Sequence, residues 1–600
     1  MSGVSSSSER EARRGRRLFW GIVIVALAVL IATVAAFAVM LFGPGPPIVV
    51  SEETTYITSP LGEDGLPDYE EWVRQNWRGA ATPDNNGGIP FWRAMWGGEL
   101  TDPADQQLIL DELGMERPAA EDILQRVYKQ PWEGRLEEWV LEAHPLVLGE
   151  DFDPNSFDTG ERLSEVVDDL IDLSRERPWT RDELPVMADW ADANAQPFEL
   201  LHKAGASAYY YPGSPSLLDG RHGQMVEILL PAAQGSREGA RSLVARAMLS
   251  IGEGRLDDAW RDVHAVQQLG RHVADSFTMV HQLVGYAFEN LARQGIVRVL
   301  ASDRLDSELA RRMLRDYQAL KPYQDCLLLI AGSERLMSVD AVIAISSEGR
   351  SALEWYDLPA IPLVGFNWNL VLVRINEFFD MIEAAANEPE GPKRNDAVEQ
   401  VMDTIDEMNA FAVSPFSTDL LFSRGARSER IADVLMSLLV PALEAALTAE
   451  RRTSTQVDLA LLAIALEVHR LEEGAYPARL EELVPGVLEE LPVDPFGPTP
   501  YAYRITEDGY LIYSIGPNGK DDDGSNEGEG RLTREPMLEG RVVVEPDFIN
   551  DDTSEYDEQI AKIPTGADDV PLRMPPPSPK PWPWEVVKPE AGDSSPDDNP

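Results

Sequence analysis

One cysteine stands among 600 residues, Cys326, so no disulfide can form within the chain, and stability has to come from burial, a bound ion, or both. Its setting, YQDCLLLIAG, reads as a buried helix thiol, because no positive group stands beside it to lower its pKa and make it a nucleophile. Histidine is almost as scarce, with seven copies. Three of them, His264, His272 and His281, fall in one helical region at intervals of eight and nine, with no companion cysteine, which does not suit zinc ligation. Also missing are HExxH, a phosphate loop of the G-x-x-x-x-G-K type, a G-x-S-x-G elbow and CxxC. No nucleophile, base and orienting group can therefore be nominated together, and paired carboxylates discriminate nothing in so acidic a chain.

Basic residues are few. Lysine and arginine number 52 against 103 acids, a net charge of −51. The first seventeen residues carry +3, which leaves about −54 on the remainder. Such a surface excludes nucleic acid and anionic lipid head groups as partners and favours cations, although a solvated, salt-adapted surface accounts for most of the charge. With 44% apolar residues the chain is a folded one, too long for one core, and is expected to form about two to four domains.

Only one hydrophobic run is long enough to span a bilayer. Leu18 to Phe42 carries no charge and can cross ~30 Å of hydrocarbon as a helix. Arg13, Arg14, Arg16 and Arg17 precede it and GPGPP follows, so the expectation is a cytoplasmic basic segment (1–17), a single transmembrane helix (18–42) and a bulk exported across the inner, cytoplasmic membrane. A cleaved signal peptide is the second reading, on Ala36-Phe37-Ala38. Arg16-Arg17-Leu18-Phe19 resembles a twin-arginine export signal, and a plain positive flank explains the same residues.

After the anchor, 43–101 reads as irregular linker and short elements. From 102 to 430 apolar residues recur three and four apart, which predicts a mostly α-helical body, an irregular bundle or solenoid. Within it ARSLVARAMLSIGEGRLDDAWRDVHAVQQLGRHV reads as a helical hairpin turning at Gly252 to Gly254. Six tryptophans between Trp72 and Trp139 fall among Leu, Val and Ile at helical spacing; this favours core packing over stacking on sugar rings. A deep pocket in the body lined by His202, Glu and Asp side chains would instead mark an exported hydrolase or a carbohydrate-binding protein. The final stretch, 563–600, is proline-rich and charged and is expected to be a disordered tail, with Trp582 and Trp584 as its only docking candidates.

The region 431–562 differs in kind. An apolar-periodic stretch from Ile431 to Glu473 predicts one long helix or two in line, with Pro441 as the break, stopping at Gly474. YAYRITEDGYLIYSI reads as a β-hairpin about an Asp508-Gly509 turn, and VVVEPDFINDD as a further strand edge. The hairpin runs directly into GPNGKDDDG, a loop rich in glycine and acid. A solvated turn is one reading of that loop and a calcium site the other, since calcium takes six to eight oxygen ligands from carboxylates, amides and carbonyls. An EF-hand register fails, because it puts Gly519 and Gly530 where carboxylates are needed.

The order of long helix, Gly474-Ala475-Tyr476-Pro477, Asp494-Pro495-Phe496-Gly497, Tyr501 and Tyr503, then Tyr513-Ser514-Ile515-Gly516-Pro517-Asn518-Gly519, resembles the globular part of the major pseudopilin of type II secretion. That resemblance implies a small α+β domain, a helix packed on an antiparallel sheet, with calcium holding the loop after the hairpin. It implies as ligands the carbonyl of Ile515, the side chain of Asn518, and acids drawn from Asp521, Asp522 and Asp523. The expectation is thus a non-catalytic envelope protein, held in the membrane by its N-terminal helix, with a helical body for protein partners and a calcium-stabilised pilin-like end serving secretion or surface assembly.

Overall fold

The computed structural model describes residues 24–39, 43, 45–148, 157–215, 222–223, 225, 231–348, 365–389, 391–412, 420, 423–439, 442–497, 500–525 and 569–586. The segment 1–17, both ends of the run 18–42, the strand expected in VVVEPDFINDD and residues 587–600 lie outside the described residues. The helices that carry the description are, in chain order, α1 (Pro231–Gly252), α2 (Leu256–Ala274), α3 (Met279–Leu300), α4 (Ser307–Gln318), α5 (Arg335–Glu348), α6 (Trp368–Asn387), α7 (Pro392–Ala412), α8 (Arg424–Leu439) and α9 (Ala442–Glu473). Three strands, β1 (Ala502–Ile505), β2 (Tyr510–Ser514) and β3 (Val570–Met574), form one antiparallel sheet in the order β1-β2-β3. The chain is mostly helical, as its periodicity predicts, with this one small sheet among the described residues.

Residues 24–39 are helical, and Ile24, Leu27, Leu30, Val34 and Val39 on it are 56–67% exposed. Among the described residues no helix is long and apolar enough to cross a membrane, and this one covers only part of the run from Leu18 to Phe42.

Two compact units divide the chain. The first is Met1–Trp72, Asp219–Val226 and Leu327–Glu444; the second is Val73–Leu218, Glu227–Cys326 and Ala445–Pro600. In the first, α5 to α8 bury Val339, Ile343, Val371, Ile375, Phe379, Ile405 and Leu435. Arg335, 3% exposed, donates from Nε to Asn376 Oδ1 at 2.7 Å, stands 3.9 Å over the Tyr56 ring and pairs with Asp380 at 2.8 Å. A buried guanidinium needs this much company, since stripping it of water is costly unless its donors are matched.

The second unit has one continuous core. It runs from Ala81 and Phe91 through α1 to α4 and on to Leu459, Leu462 and Leu466 of α9, Tyr510 and Ile512 of β2, Leu572 of β3 and Trp582. The expected helical hairpin is present as α1 and α2, and the first turn of α2 carries Asp257 and Asp258, whose charge suits the positive end of a helix. Thr278 and Asp306 cap α3 and α4 with side-chain oxygens. Where α2 and α3 cross, a Cβ on Gly285 would lie 2.5 Å from the Gly270 carbonyl and 2.6 Å from Ala274 Cβ, so only glycine permits that approach.

Ion pairing inside this core is concentrated at Glu289, which is 0% exposed. Its carboxylate accepts from Arg271 Nη1 at 2.7 Å, Tyr317 Oη at 2.9 Å and Gln267 Nε2 at 3.3 Å. The Arg271 guanidinium lies 3.7 Å over the Tyr323 ring, and its Nε donates to the Lys321 carbonyl at 2.9 Å. Tyr317 Oη also reaches the Val457 carbonyl of α9 at 3.1 Å, and Cys326 N donates to Glu450 on the same helix at 2.7 Å. The helix expected to open a separate pilin-like domain is therefore packed within the core of the helical body. Cys326 is fully buried at a helix start, in line with its reading as an inert thiol.

Trp92, Trp96 and Trp132 are buried, and Trp77 and Trp139 pack against the same core, which uses their faces for packing. The expected disordered tail needs correction. Residues 569–586 supply β3 and a short helix, Pro583–Val586, and Trp582 is fully buried. Arg177 stands 4.4 Å over the Trp582 ring, and Trp584 stacks on His144 at 4.0 Å. Proline content pointed to an extended chain, but an extended chain can add an edge strand, and two indoles bury enough apolar surface to hold it in place.

Candidate functional site

The hairpin pairs as its alternation predicts, from Ala502↔Tyr513 to Ile505↔Tyr510, and β3 covers the far side of β2 from Tyr510↔Met574 to Ser514↔Val570. As the central strand, β2 is buried along its whole length. The sheet's tyrosines tie it to α9 and its exit: Tyr501 Oη donates to Asp458 at 2.8 Å and Tyr503 Oη to the Pro477 carbonyl at 2.9 Å. Tyr476 and Tyr510 meet edge to face at 4.8 Å. These contacts fix where β2 ends and the acidic loop begins.

Asp494 of the VDPFG turn staples the loop's entry. Its Oδ1 accepts from Ser514 Oγ at 2.7 Å and from Phe496 N at 3.0 Å, and its Oδ2 accepts from Ile515 N at 3.2 Å. Gly516, Gly519 and Gly524 then take left-handed backbone conformations, with φ of 67°, 64° and 73°, and Asp523 joins them at 60°. The loop folds on itself. Asn518 Oδ1 accepts from Lys520 N at 2.6 Å and its Nδ2 donates to Asp522 at 2.9 Å; Asp521 Oδ1 accepts from Tyr513 Oη at 3.1 Å and Asp523 N at 2.9 Å.

Of the five residues named from sequence, Asn518 and Asp522 are brought together, Asp521 faces back toward Tyr513, and Asp523 forms an ion pair with Arg504 of β1. Ile515 is placed by its amide on Asp494. Two acids that sequence reasoning did not name as ligands organise the loop. Asp494 is one; Asp569, just before β3 and 0% exposed, is the other, accepting from Asp522 N at 3.1 Å and Gly524 N at 2.8 Å. Asp569 lay in a segment read as tail, so nothing local could have marked it. Burial, and beyond it the charges of Asp522 and Asp521, push its carboxyl up to about 6. Among the described residues, no group of three acidic, histidine or cysteine side chains is placed to hold a metal ion. The side chains set around the loop, carboxylates and one amide, carry hard oxygens of the kind calcium takes, and a cation would relieve the charge that crowds Asp569.

Asp458, beside Tyr501, is likewise pushed up to about 6 by burial. An acid whose pKa is higher folded than unfolded holds its proton in the native state after the unfolded chain has lost it, so stability falls as pH rises from about 4 to 6. Asp569→Asn keeps an acceptor for the two amides and removes the charge. Without divalent cations, its stability relative to the wild type should increase as pH is raised from 4.5 to 7. Urea midpoints at those two pH values check this; a constant difference would refute it.

The three histidines of the helical region have three separate surroundings. His264 stacks on Trp260, His272 on Tyr210, and His281 Nδ1 meets Thr278 Oγ1 at 2.9 Å. His202 and His264 line one open groove of about 630 Å³ in the second unit, together with Glu199, Asp257, Trp260, Arg261 and Asp316. His202 Nε2 is 2.8 Å from Asp262; burial alone would push the Asp262 carboxyl up, but Arg246 and His202 hold it below the usual carboxylate range. Arg261 clasps Glu199 with two bonds of 2.7 Å, Trp260 donates to Asp316 at 2.8 Å, and Arg312 pairs with Asp257. Among the described residues, the groove's lining includes no serine, threonine or cysteine.

No protein family's sequence profile matches the chain, and no solved structure matches it. Among curated proteins, the type II secretion system core protein G of Pseudomonas aeruginosa is 30% identical over 118 aligned residues, covering 16% of this chain and 82% of that protein. The share of this chain is close in length to the region from Ile431 to Gly530, which carries the helix, the hairpin and the acidic loop.

Proposed function

Because this chain belongs, by an alignment covering 82% of that protein, to the family of the type II secretion system core protein G, we propose that it is a membrane-anchored, extracytoplasmic envelope protein whose pilin-like part serves secretion or surface assembly without catalysis. The observation that carries the reading is the assembly of α9, hairpin and glycine-rich acidic loop in the order the family uses, on a sheet completed by β3. Support for the anchor comes from the uncharged run Leu18 to Phe42 behind its basic flank, within which residues 24–39 are helical with exposed apolar side chains. The helical body supplies surface for protein partners.

In this reading calcium binds the loop through the Ile515 carbonyl, the Asn518 side chain and acids among Asp521, Asp522 and Asp523, with Asp569 as a further carboxylate. Asp523 is the least suited of them, since Arg504 already neutralises it. The test uses the full chain, because the core joins α9 to the helical body and β3 lies beyond the acidic loop. A ligand that binds only the native state stabilises it, by about 2.7 kcal/mol at a hundred times its Kd. The unfolding midpoint should rise with added calcium and fall with chelator, and the double change Asp522→Asn, Asp569→Asn should abolish the difference. A midpoint indifferent to calcium in the wild type would remove calcium from the proposal.

The groove at His202 favours a second reading, an exported hydrolase or carbohydrate-binding protein. It is open rather than deep, and its charged groups are largely committed to one another. Saturable binding of oligosaccharides that is lost in His202→Ala would establish it over the scaffold.

A further inference from the structure

A second groove, in the first unit, lies among α6, α7 and α8 and has a volume of about 620 Å³. Leu370, Val373 and Met408 give it an apolar lining, and Leu370 is 41% exposed on a helix whose other face buries Val371, Leu372, Ile375, Phe378, Phe379 and Ile382. Four acids stand around it, Glu377 on α6, Glu407 on α7, and Glu429 and Asp433 on α8. Against them, among the described residues, the lining sets one cation, Arg374, whose Nε is 3.4 Å from Asp433 and whose Nη1 is 4.0 Å from Glu377. Asp433 is only 6% exposed, and burial pushes its carboxyl up in spite of Arg374. The groove therefore holds more negative charge than its own arginine offsets, above a surface that loses free energy in contact with water.

We propose that this groove docks a basic amphipathic helix of a protein partner. Two features select that occupant. The apolar lining asks for apolar side chains, which a helix presents at i, i+3 and i+4 along one face, and the acidic walls ask for lysine or arginine flanking that face. Charge excludes an acidic or phosphorylated segment, since like charges facing across an interface oppose association. A purely cationic ligand would leave Leu370 in water. The proposal names the partner chemistry behind the scaffold reading and rests on it, while its test reads the groove alone and is independent of calcium or of the acidic loop.

The full-length protein in non-ionic detergent is titrated into a fluorescently labelled amphipathic peptide of alternating leucine and lysine blocks, about two heptads long. A companion peptide has serine for every leucine, and both are followed by anisotropy. The leucine peptide should bind saturably and at least about tenfold more tightly than the serine peptide. The exposed rim change Glu377→Lys with Glu407→Lys should weaken it about tenfold or more, and Leu370→Ser should weaken it with no change in charge. Asp396→Lys with Glu399→Lys, on α7 but outside the groove lining, should leave binding as in the wild type. Equal loss in the two charge-reversal pairs, equal affinity for the two peptides, or no saturable binding at about 100 µM would each overturn the proposal.

Discussion

Replacing Glu289 by alanine should destabilise the second unit by about 3–5 kcal/mol, the range for breaking a buried ion pair from one side. The loss has three parts. Arg271, 6% exposed, keeps its charge without its carboxylate partner; Tyr317 and Gln267 each lose an acceptor; and a cavity opens in a core whose neighbours on α2, α4 and α9 converge there. Glu289→Gln preserves an oxygen for Tyr317 but not the charge, and should lie between alanine and wild type. Urea unfolding of the three proteins, followed by tryptophan fluorescence, measures the order. A loss below about 1 kcal/mol for alanine would mean that water or a rearranged tyrosine replaces the carboxylate. Because Tyr317 also bonds to Val457, the same variant should loosen α9, and protease cleavage near Val457 should appear with it.

Trp582→Ala should cost a similar amount, about 3–5 kcal/mol, as for other large aromatics deleted from a core. A tryptophan in a solvated tail would cost nothing, so the size of the effect separates the two descriptions. The indole is 0% exposed, stacks with Trp584 at 5.4 Å and lies under the Arg177 guanidinium, which also pairs with Glu585 at 2.9 Å. Removing it leaves Arg177 without its ring and β3 without the anchor that follows it. Arg177→Ala should therefore reproduce part of the loss, and the two changes together should cost less than their sum, because they remove one shared contact. A Trp582→Ala protein with the wild-type midpoint would place the segment outside the folded core.

Much of the chain was legible because the signals are local. The helical hairpin about Gly254 follows from apolar residues at helical spacing broken by two glycines, and the structure turns there between α1 and α2. The β-hairpin follows from period-two alternation, although its register centres between Glu507 and Asp508, one residue before the centre of the expected Asp508-Gly509 turn, and Thr506 N donates to the Gly509 carbonyl to close the loop. Cys326 read as inert from the run of leucines after it, and it is buried. The acidic loop was placed correctly after β2, together with its glycines, because left-handed turns need residues that tolerate positive φ. Which carboxylates meet which partner could not be read from DDD, since three adjacent aspartates are equivalent until Tyr513, Asn518, Arg504 and the amide acceptor Asp569 are set around them.

By itself, then, the sequence determined the things that depend on neighbours in the chain: a basic flank before an apolar run, helices by their spacing, a hairpin by its alternation, and a partial similarity to type II secretion core protein G. Tertiary structure alone decided what depends on distant residues. It made β3 and Trp582 part of the sheet and core instead of a tail, it packed α9 within the helical body through Tyr317 and Val457, and it brought Asp569 to the amides of a loop 45 residues earlier. The reason is energetic. Burial and buried charge gain their free energy from contacts between distant segments, and no residue's own sequence neighbourhood records which distant segment will exclude water from it.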